Sequence, residues 1–118
     1  MGSSAFSTHV LDRVRYEERS AREDARIKVL ELLKCAVAES PIPLAEAYVF
    51  GSVVRPYAFD SHSDVDVAVH ALSPRDYFSL KTHLEARVLR DVDLVELESC
   101  RFSDAIKGIG QRWTNQPM

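Results

Sequence analysis

The feature that most constrains this chain is the stretch Gly51 to Val69, GSVVRPYAFDSHSDVDVAV, which places two aspartates at the entrance of an apolar strand. Asp64 and Asp66 are two residues apart, so on a strand their side chains project from the same face of the sheet. Carboxylates held close together repel each other, and burial strengthens that repulsion. The pattern therefore predicts either a solvated strand end or a site that holds a positive ion.

A second acidic strand follows in the segment DVDLVEL, where Asp91 and Asp93 are again two residues apart. If the two strands are neighbours in one sheet, one of these carboxylates can converge with Asp64 and Asp66. Three convergent carboxylates suit a hard divalent cation, and Mg²⁺ is the usual choice when substrate phosphates complete its coordination. The spacing alone leaves open whether Asp91 or Asp93 is the third carboxylate.

The Gly-Ser pair follows directly after an apolar run that predicts a buried strand, Ala47 to Phe50. Gly51 allows the backbone to turn sharply and to approach a ligand closely. Ser52 would lie in the first turn of a short helix, where free backbone N–H groups favour an anion. Arg55 could add a charge-assisted contact to a terminal phosphate. Together with the carboxylates, these residues predict a site for a nucleoside triphosphate.

The segments on both sides of this stretch have helical patterns. Thr8 to about Glu39 is expected to be one helix, charged in its first half and apolar along one side of its second half. Ser73 and Pro74 predict the N-cap and first residue of another helix, and a short closing helix is expected to be capped by Ser103. The order helix, strand, turn, strand, helix, strand, helix predicts an α/β (α+β) fold with a small mixed β-sheet flanked by helices.

Length and composition limit the classes of protein to consider. The 118 residues suggest one domain over residues 1–118, with residues 1–8 and 114–118 expected to be flexible ends. The net charge of −3 provides no basic field, so we do not expect direct binding to nucleic acid. No apolar run is long enough to span a membrane. Cys35 and Cys100 fit no metal-ligand spacing, which favours reduced thiols in a cytoplasmic protein.

The quoted stretch, together with DVDLVEL, resembles the DNA polymerase β-like nucleotidyltransferase superfamily, and within it the minimal nucleotidyltransferase branch. The pattern of that branch is Gly-Ser, a spacer of roughly ten residues, Asp-x-Asp and a third aspartate on a later strand. The resemblance extends from about Ala45 to Leu97. It implies the polymerase β-like nucleotidyltransferase fold.

The resemblance assigns roles to six residues of this sequence. The implied phosphate-binding residues are Gly51, Ser52 and Arg55, and the implied metal-binding and catalytic residues are Asp64, Asp66 and Asp93. Asp93, which the resemblance favours over Asp91, would also deprotonate or position an acceptor hydroxyl. The implied cofactor is Mg²⁺, as two ions, and the implied substrate is ATP.

The resemblance also implies a partner. Stand-alone members of this branch resemble the antitoxins of HEPN–nucleotidyltransferase toxin–antitoxin pairs, in which the small enzyme transfers AMP from ATP to a tyrosine of the HEPN toxin. A chain of this size has no room for a second domain that holds a primer or a drug, so the acceptor is expected on another polypeptide. The expected function is a Mg²⁺-dependent transfer of AMP to a HEPN-domain partner.

Two departures from the family pattern bear on that expectation. The spacer VVRPYAFDSHS has eleven residues, and Pro56 stands where glycine commonly follows the arginine. Neither departure removes a chemical group, but both decide whether Ser52 and Arg55 face the phosphates. Two alternatives therefore stay open: a catalytically weak or inactive module that neutralises a partner by contact, and nucleotidyl transfer to a small molecule.

Overall fold

The computed structural model describes residues 2–114, with side chains described from residue 11 onward. Within residues 2–114, the fold consists of four strands, three α-helices and two short 3₁₀ helices. In chain order they are α1 (Gly2–Ala38), β1 (Ala47–Phe50), a 3₁₀ helix (Gly51–Val54), β2 (Val65–Val69), α2 (Pro74–Val88), β3 (Val92–Glu96), a 3₁₀ helix (Leu97–Ser99), α3 (Ser103–Ile109) and β4 (Gln111–Trp113). None of the described helices is long and apolar enough to cross a membrane.

The sheet is mixed, as the sequence predicts, and its strands lie in the order β3-β2-β1-β4. β1 runs antiparallel to β2 and to β4, whereas β2 and β3 are parallel. The parallel pair is joined by α2, since a parallel connection needs a crossover of this kind. Consequently β1 ends, and β2 and β3 begin, at the same edge of the sheet.

The two faces of the sheet carry different helices. The larger apolar cluster joins the valines at 65, 67 and 69 to the second half of α1 and to Leu80, Leu84 and Val88 of α2. The smaller cluster, on the other face, joins Tyr48 and Ala68 to Ile106 of α3. Because side chains alternate along β2, Asp64 and Asp66 lie on the same face as α3. The valines therefore anchor β2 in the core while its aspartates stay available.

The ends of the helices test three sequence predictions. The Ser73 hydroxyl accepts a hydrogen bond from the Asp76 backbone N–H at 3.2 Å, which confirms it as an N-cap. Ser103 is the first helical residue rather than the cap, because the N-cap position belongs to Phe102, whose side chain makes no capping hydrogen bond. α1 includes Gly2 and so begins before Thr8.

Flexible ends at residues 1–8 and 114–118 stay a prediction; residues 1 and 115–118 lie outside the described part of the chain.

β4 is an element that the sequence does not predict. The short closing helix ends at Ile109, and the chain then returns as an edge strand. Trp113 pairs with Ala47 and packs against the larger apolar cluster. Gly110 lies close to β1, because a Cβ there would stand 3.0 Å from the Val49 carbonyl oxygen. The glycine therefore allows the reversal into β4.

Candidate active site

The structure brings three of the predicted acidic residues together at the edge where β2 and β3 begin. Asp66 and Asp93 are direct partners in the parallel register, and Asp64 immediately precedes β2. Neighbouring strands lie about 4.8 Å apart, so the two paired side chains stand next to each other on one face. Asp91 lies outside this pair: its side chain is exposed, and its backbone carbonyl accepts a hydrogen bond from Val65 at 3.1 Å.

Burial and the neighbouring carboxylates both disfavour the charged form of Asp66. Burial raises the pKa of its carboxyl group above the ordinary value, and the negative charges of Asp93 and Asp64 raise it further. Within the described residues, no group donates a hydrogen bond to any of the three carboxylates, and no cation forms an ion pair with them. The cluster therefore carries uncompensated negative charge.

The donor set fits Mg²⁺ bound together with a phosphate substrate. Across the described residues, no three His, Cys, Asp or Glu side chains stand close enough to hold a metal ion by themselves. Mg²⁺ is usually bound by one or two carboxylates, with substrate phosphates and water as its remaining ligands. A half-buried Asp66 beside Asp93 supplies hard oxygen ligands of that kind. The geometry is thus that of an open site rather than a closed protein cage.

Gly51 brings the end of β1 against these carboxylates. Its φ is +79°, a conformation that residues with a side chain rarely adopt. A Cβ at this position would stand 2.2 Å from Oδ2 of Asp66, so no other residue fits without displacing that carboxylate. The predicted helical turn is a 3₁₀ helix, Gly51–Val54, in which Ser52 is partly buried. Gly51, Ser52 and Asp66 thus belong to one compact site.

Arg55 lies just beyond this turn and is exposed. Its backbone N–H donates to the Ser52 carbonyl at 3.1 Å and closes the 3₁₀ helix. Within the described residues, its guanidinium forms no hydrogen bond or ion pair. Pro56 follows, and Tyr57 then adopts a left-handed conformation with φ of 64°. The proline follows the C-cap residue of the 3₁₀ helix, and the Arg55 side chain is exposed.

Arg90 is a residue at the site that the sequence did not indicate. Its guanidinium donates to the carbonyl oxygens of Asp60 and Ser63 at 2.9 and 3.1 Å. It also lies 4.3 Å from the ring centroid of Phe59, which is 1% exposed. These contacts fold the eleven-residue spacer into a defined loop just before Asp64. The one signal in the sequence that could have indicated Arg90 is its position directly before the acidic segment DVDLVEL.

Comparison with solved structures finds chains of similar fold. A structure described as a toxin–antitoxin with AMP-PNP is 28% identical, covers 80% of this chain and 74% of its own, and has a TM-score of 0.51. A toxin–antitoxin complex described as MntA–HpeT, carrying two aspartate-to-glutamate substitutions, is 26% identical, with coverage of 77% and 74% and a TM-score of 0.52. No curated protein matches the chain.

A family model described as Polymerase beta, Nucleotidyltransferase matches residues 36–110. The matched residues span β1, the Gly-Ser turn, β2, α2, β3 and α3, and they include every carboxylate of the acidic cluster. The match thus covers the whole of the sheet edge described above and more than half of the chain. The chain belongs to the polymerase beta nucleotidyltransferase family.

Proposed function

We propose that the protein transfers AMP from ATP to a hydroxyl group of a protein partner, a tyrosine of a HEPN-domain toxin, and that it acts as the antitoxin. The observation that carries this proposal is the pairing of Asp66 with Asp93 directly beside Gly51. This pairing supports the proposal because carboxylates beside a sharp glycine turn suit a metal–triphosphate complex. The two similar structures are described as toxin–antitoxin complexes, and one contains AMP-PNP.

Each residue of the site has a role in this transfer. Asp64 and Asp66 would hold Mg²⁺, which when bound lowers the pKa of the acceptor hydroxyl and neutralises the departing pyrophosphate. The Ser52 hydroxyl and the backbone amides of its turn would bind the triphosphate, and Arg55 would pair with its terminal phosphates. Asp93 would accept the proton of the acceptor hydroxyl.

The bonds exchanged in the reaction are simple to state. The acceptor oxygen forms a bond to the α-phosphorus of ATP, and the bond from that phosphorus to the pyrophosphate oxygen breaks. The acceptor proton passes to Asp93, and pyrophosphate leaves with the electron pair of the broken bond. Catalysis then depends on alignment and on charge compensation rather than on a covalent enzyme intermediate.

The test is transfer of label from α-labelled ATP, in the presence of Mg²⁺, to the HEPN-domain protein encoded beside this chain. We expect a labelled tyrosine on the partner, and no label with Asp66→Asn or Asp93→Asn. Asp91→Asn is the matched control. Asp91 lies two residues before Asp93 and outside the register that pairs Asp93 with Asp66, so this variant should retain transfer. Equal loss in the Asp91 and Asp93 variants would contradict the assignment of Asp93.

Calorimetry separates the proposal from a contact-only module. An enzyme of this kind should bind an ATP analogue with Mg²⁺ in the absence of partner. Tight partner binding without any nucleotide binding would instead support neutralisation by contact, and label transfer to a small molecule but not to the partner would support the third alternative.

A further inference from the structure

The middle of α1 reaches the segment that follows β1 through one ion pair. Arg26 Nη1 donates to the Val53 carbonyl oxygen at 3.0 Å, and its Nε donates to Glu23 Oε1 at 2.9 Å. The other carboxylate oxygen of Glu23 accepts a hydrogen bond from the Tyr57 backbone N–H at 2.8 Å. The side chains of Arg26 and Glu23 are only 11% and 15% exposed, although most of the neighbouring charged residues of α1 face solvent.

The two backbone groups held by this pair stand at the two ends of residues 53–57. The Val53 carbonyl belongs to the last turn of a 3₁₀ helix, where carbonyl groups lack partners within the helix. The Tyr57 N–H belongs to a residue in the left-handed conformation, outside any ladder of hydrogen bonds. Arg55 lies midway between them, and Ser52 immediately precedes the segment.

Charge strengthens these contacts and makes them directional. Hydrogen bonds in which one partner is ionised are roughly twice as strong as neutral ones. The Arg26 guanidinium holds the pKa of the Glu23 carboxyl below its ordinary value, together with the hydrogen bond from Tyr57. A third contact comes from Arg19, whose guanidinium lies 4.8 Å from the ring centroid of Tyr57. One side of α1 thus fixes the conformation of the turn and of the residues that follow it.

We infer that Glu23 and Arg26 are positioning residues for nucleotide binding, which orient Ser52 and Arg55 toward the triphosphate through the backbone of residues 53–57. This inference rests on the proposed function of the site. The pair acts without touching the nucleotide, so its removal weakens nucleotide binding only as far as Ser52 and Arg55 lose their orientation.

The experiment measures the affinity of the full chain for a non-hydrolysable ATP analogue with Mg²⁺ by calorimetry. We expect Arg26→Ala to weaken binding about tenfold, because a misplaced binding group loses much of its effect. Arg26→Lys should restore part of that loss, since an ammonium group can still donate to the Val53 carbonyl. Lys28→Ala is the matched control: it removes an exposed cation from the same helix and should leave the affinity unchanged.

A double-variant cycle distinguishes positioning from general stabilisation. Because the pair is inferred to act through Ser52 and Arg55, removal of Arg26 should cost about tenfold in the wild type but only about twofold in a Ser52→Ala/Arg55→Ala background. Independent, multiplicative losses would overturn the inference. Glu23→Gln, which keeps the size of the side chain, provides the same comparison if Arg26→Ala does not fold.

Failure of this inference and failure of the proposed function give different results. Absence of analogue binding by the wild-type chain would overturn both. Normal binding by the wild type and equal binding by folded Arg26→Ala and Glu23→Gln variants would overturn the positioning role alone.

Discussion

Asp66 destabilises the protein when no cation is bound, so Asp66→Asn should make the metal-free protein more stable. The carboxylate is partly buried, pairs in register with Asp93 and follows Asp64 by two residues. Asparagine has nearly the same shape but no charge, so the substitution removes the repulsion while keeping the packing of β2. The same substitution should remove Mg²⁺-dependent nucleotide binding.

The size of the effect follows from the strand spacing. Two unit charges about 5 Å apart repel by about 0.8 kcal/mol in water and by about 3 kcal/mol at an effective dielectric constant of 20. Asp93 is exposed, so solvent screening brings the value toward the lower limit. We expect a gain of about 1 kcal/mol in the free energy of unfolding, which corresponds to a rise in Tm of about 4 °C for a chain of this size.

The effect should depend on pH in a defined direction. The pKa of Asp66 is higher in the folded state than in the unfolded chain, so the folded state binds more protons between the two values. The destabilisation is absent below the unfolded pKa and grows as the pH rises through the folded pKa. The advantage of Asp66→Asn over the wild type should therefore be full above the folded-state pKa of Asp66 and disappear below its unfolded-state pKa.

Thermal unfolding followed by circular dichroism, with a chelator present, measures this difference. Asp24→Asn is the control, because Asp24 is exposed on α1 and its neutralisation should leave Tm unchanged. Saturating Mg²⁺ and ATP analogue should reverse the order, since ligand at about 100 times its Kd stabilises the wild type by about 2.7 kcal/mol. An Asp66→Asn variant that unfolds at or below the wild-type temperature in chelator would refute the reasoning.

Three further predictions concern the residues around the site. Arg90→Ala should lower the free energy of unfolding by about 1–2 kcal/mol in urea titrations, because two loop carbonyls and an aromatic contact lose their partner; an unchanged midpoint would contradict this. Gly51→Ala should cost at least about 1–2 kcal/mol and abolish analogue binding in calorimetry, because its Cβ would overlap Asp66 and its φ is positive. Hydrogen bonds with Glu98 and, to a smaller extent, with Glu46 raise the pKa of His70. His70 should therefore stabilise the fold below its unfolded-state pKa, and this stabilisation should be lost as the pH rises through its folded-state pKa. His70→Gln should therefore lower Tm at about pH 5.5, by less than about 1 kcal/mol in stability, and have no effect at about pH 9; equal losses at both would contradict the assignment.

The parts of the fold that follow from local pattern were predictable. The alternation around Asp64 and Asp66 predicts β2 and the face on which the carboxylates lie, and both are confirmed. Ser73 and Pro74 predict the start of α2 because capping depends on neighbouring residues only. The Gly-Ser pair indicates a turn, and the positive φ of Gly51 agrees with it.

The parts that depend on distant residues were not predictable. β4 has three residues, two of them exposed and polar, and forms because β1 offers an unpaired edge rather than because of its own pattern. The first half of α1 was predicted to be a charged helix. The structure adds the Glu23–Arg26 pair, which a periodic pattern cannot reveal because its partners lie at positions 53 and 57.

The parallel register of β2 and β3 has a consequence for how this site tolerates change in length. Side chains alternate along a strand, so a shift of either strand by one residue would send one of the two carboxylates, Asp66 or Asp93, to the opposite face of the sheet. The connection at residues 70–91 can lengthen or shorten at its loops without shifting the two strands relative to each other. A single insertion between Val65 and Asp66, or between Val92 and Asp93, would instead separate the carboxylates while leaving the composition of the site unchanged.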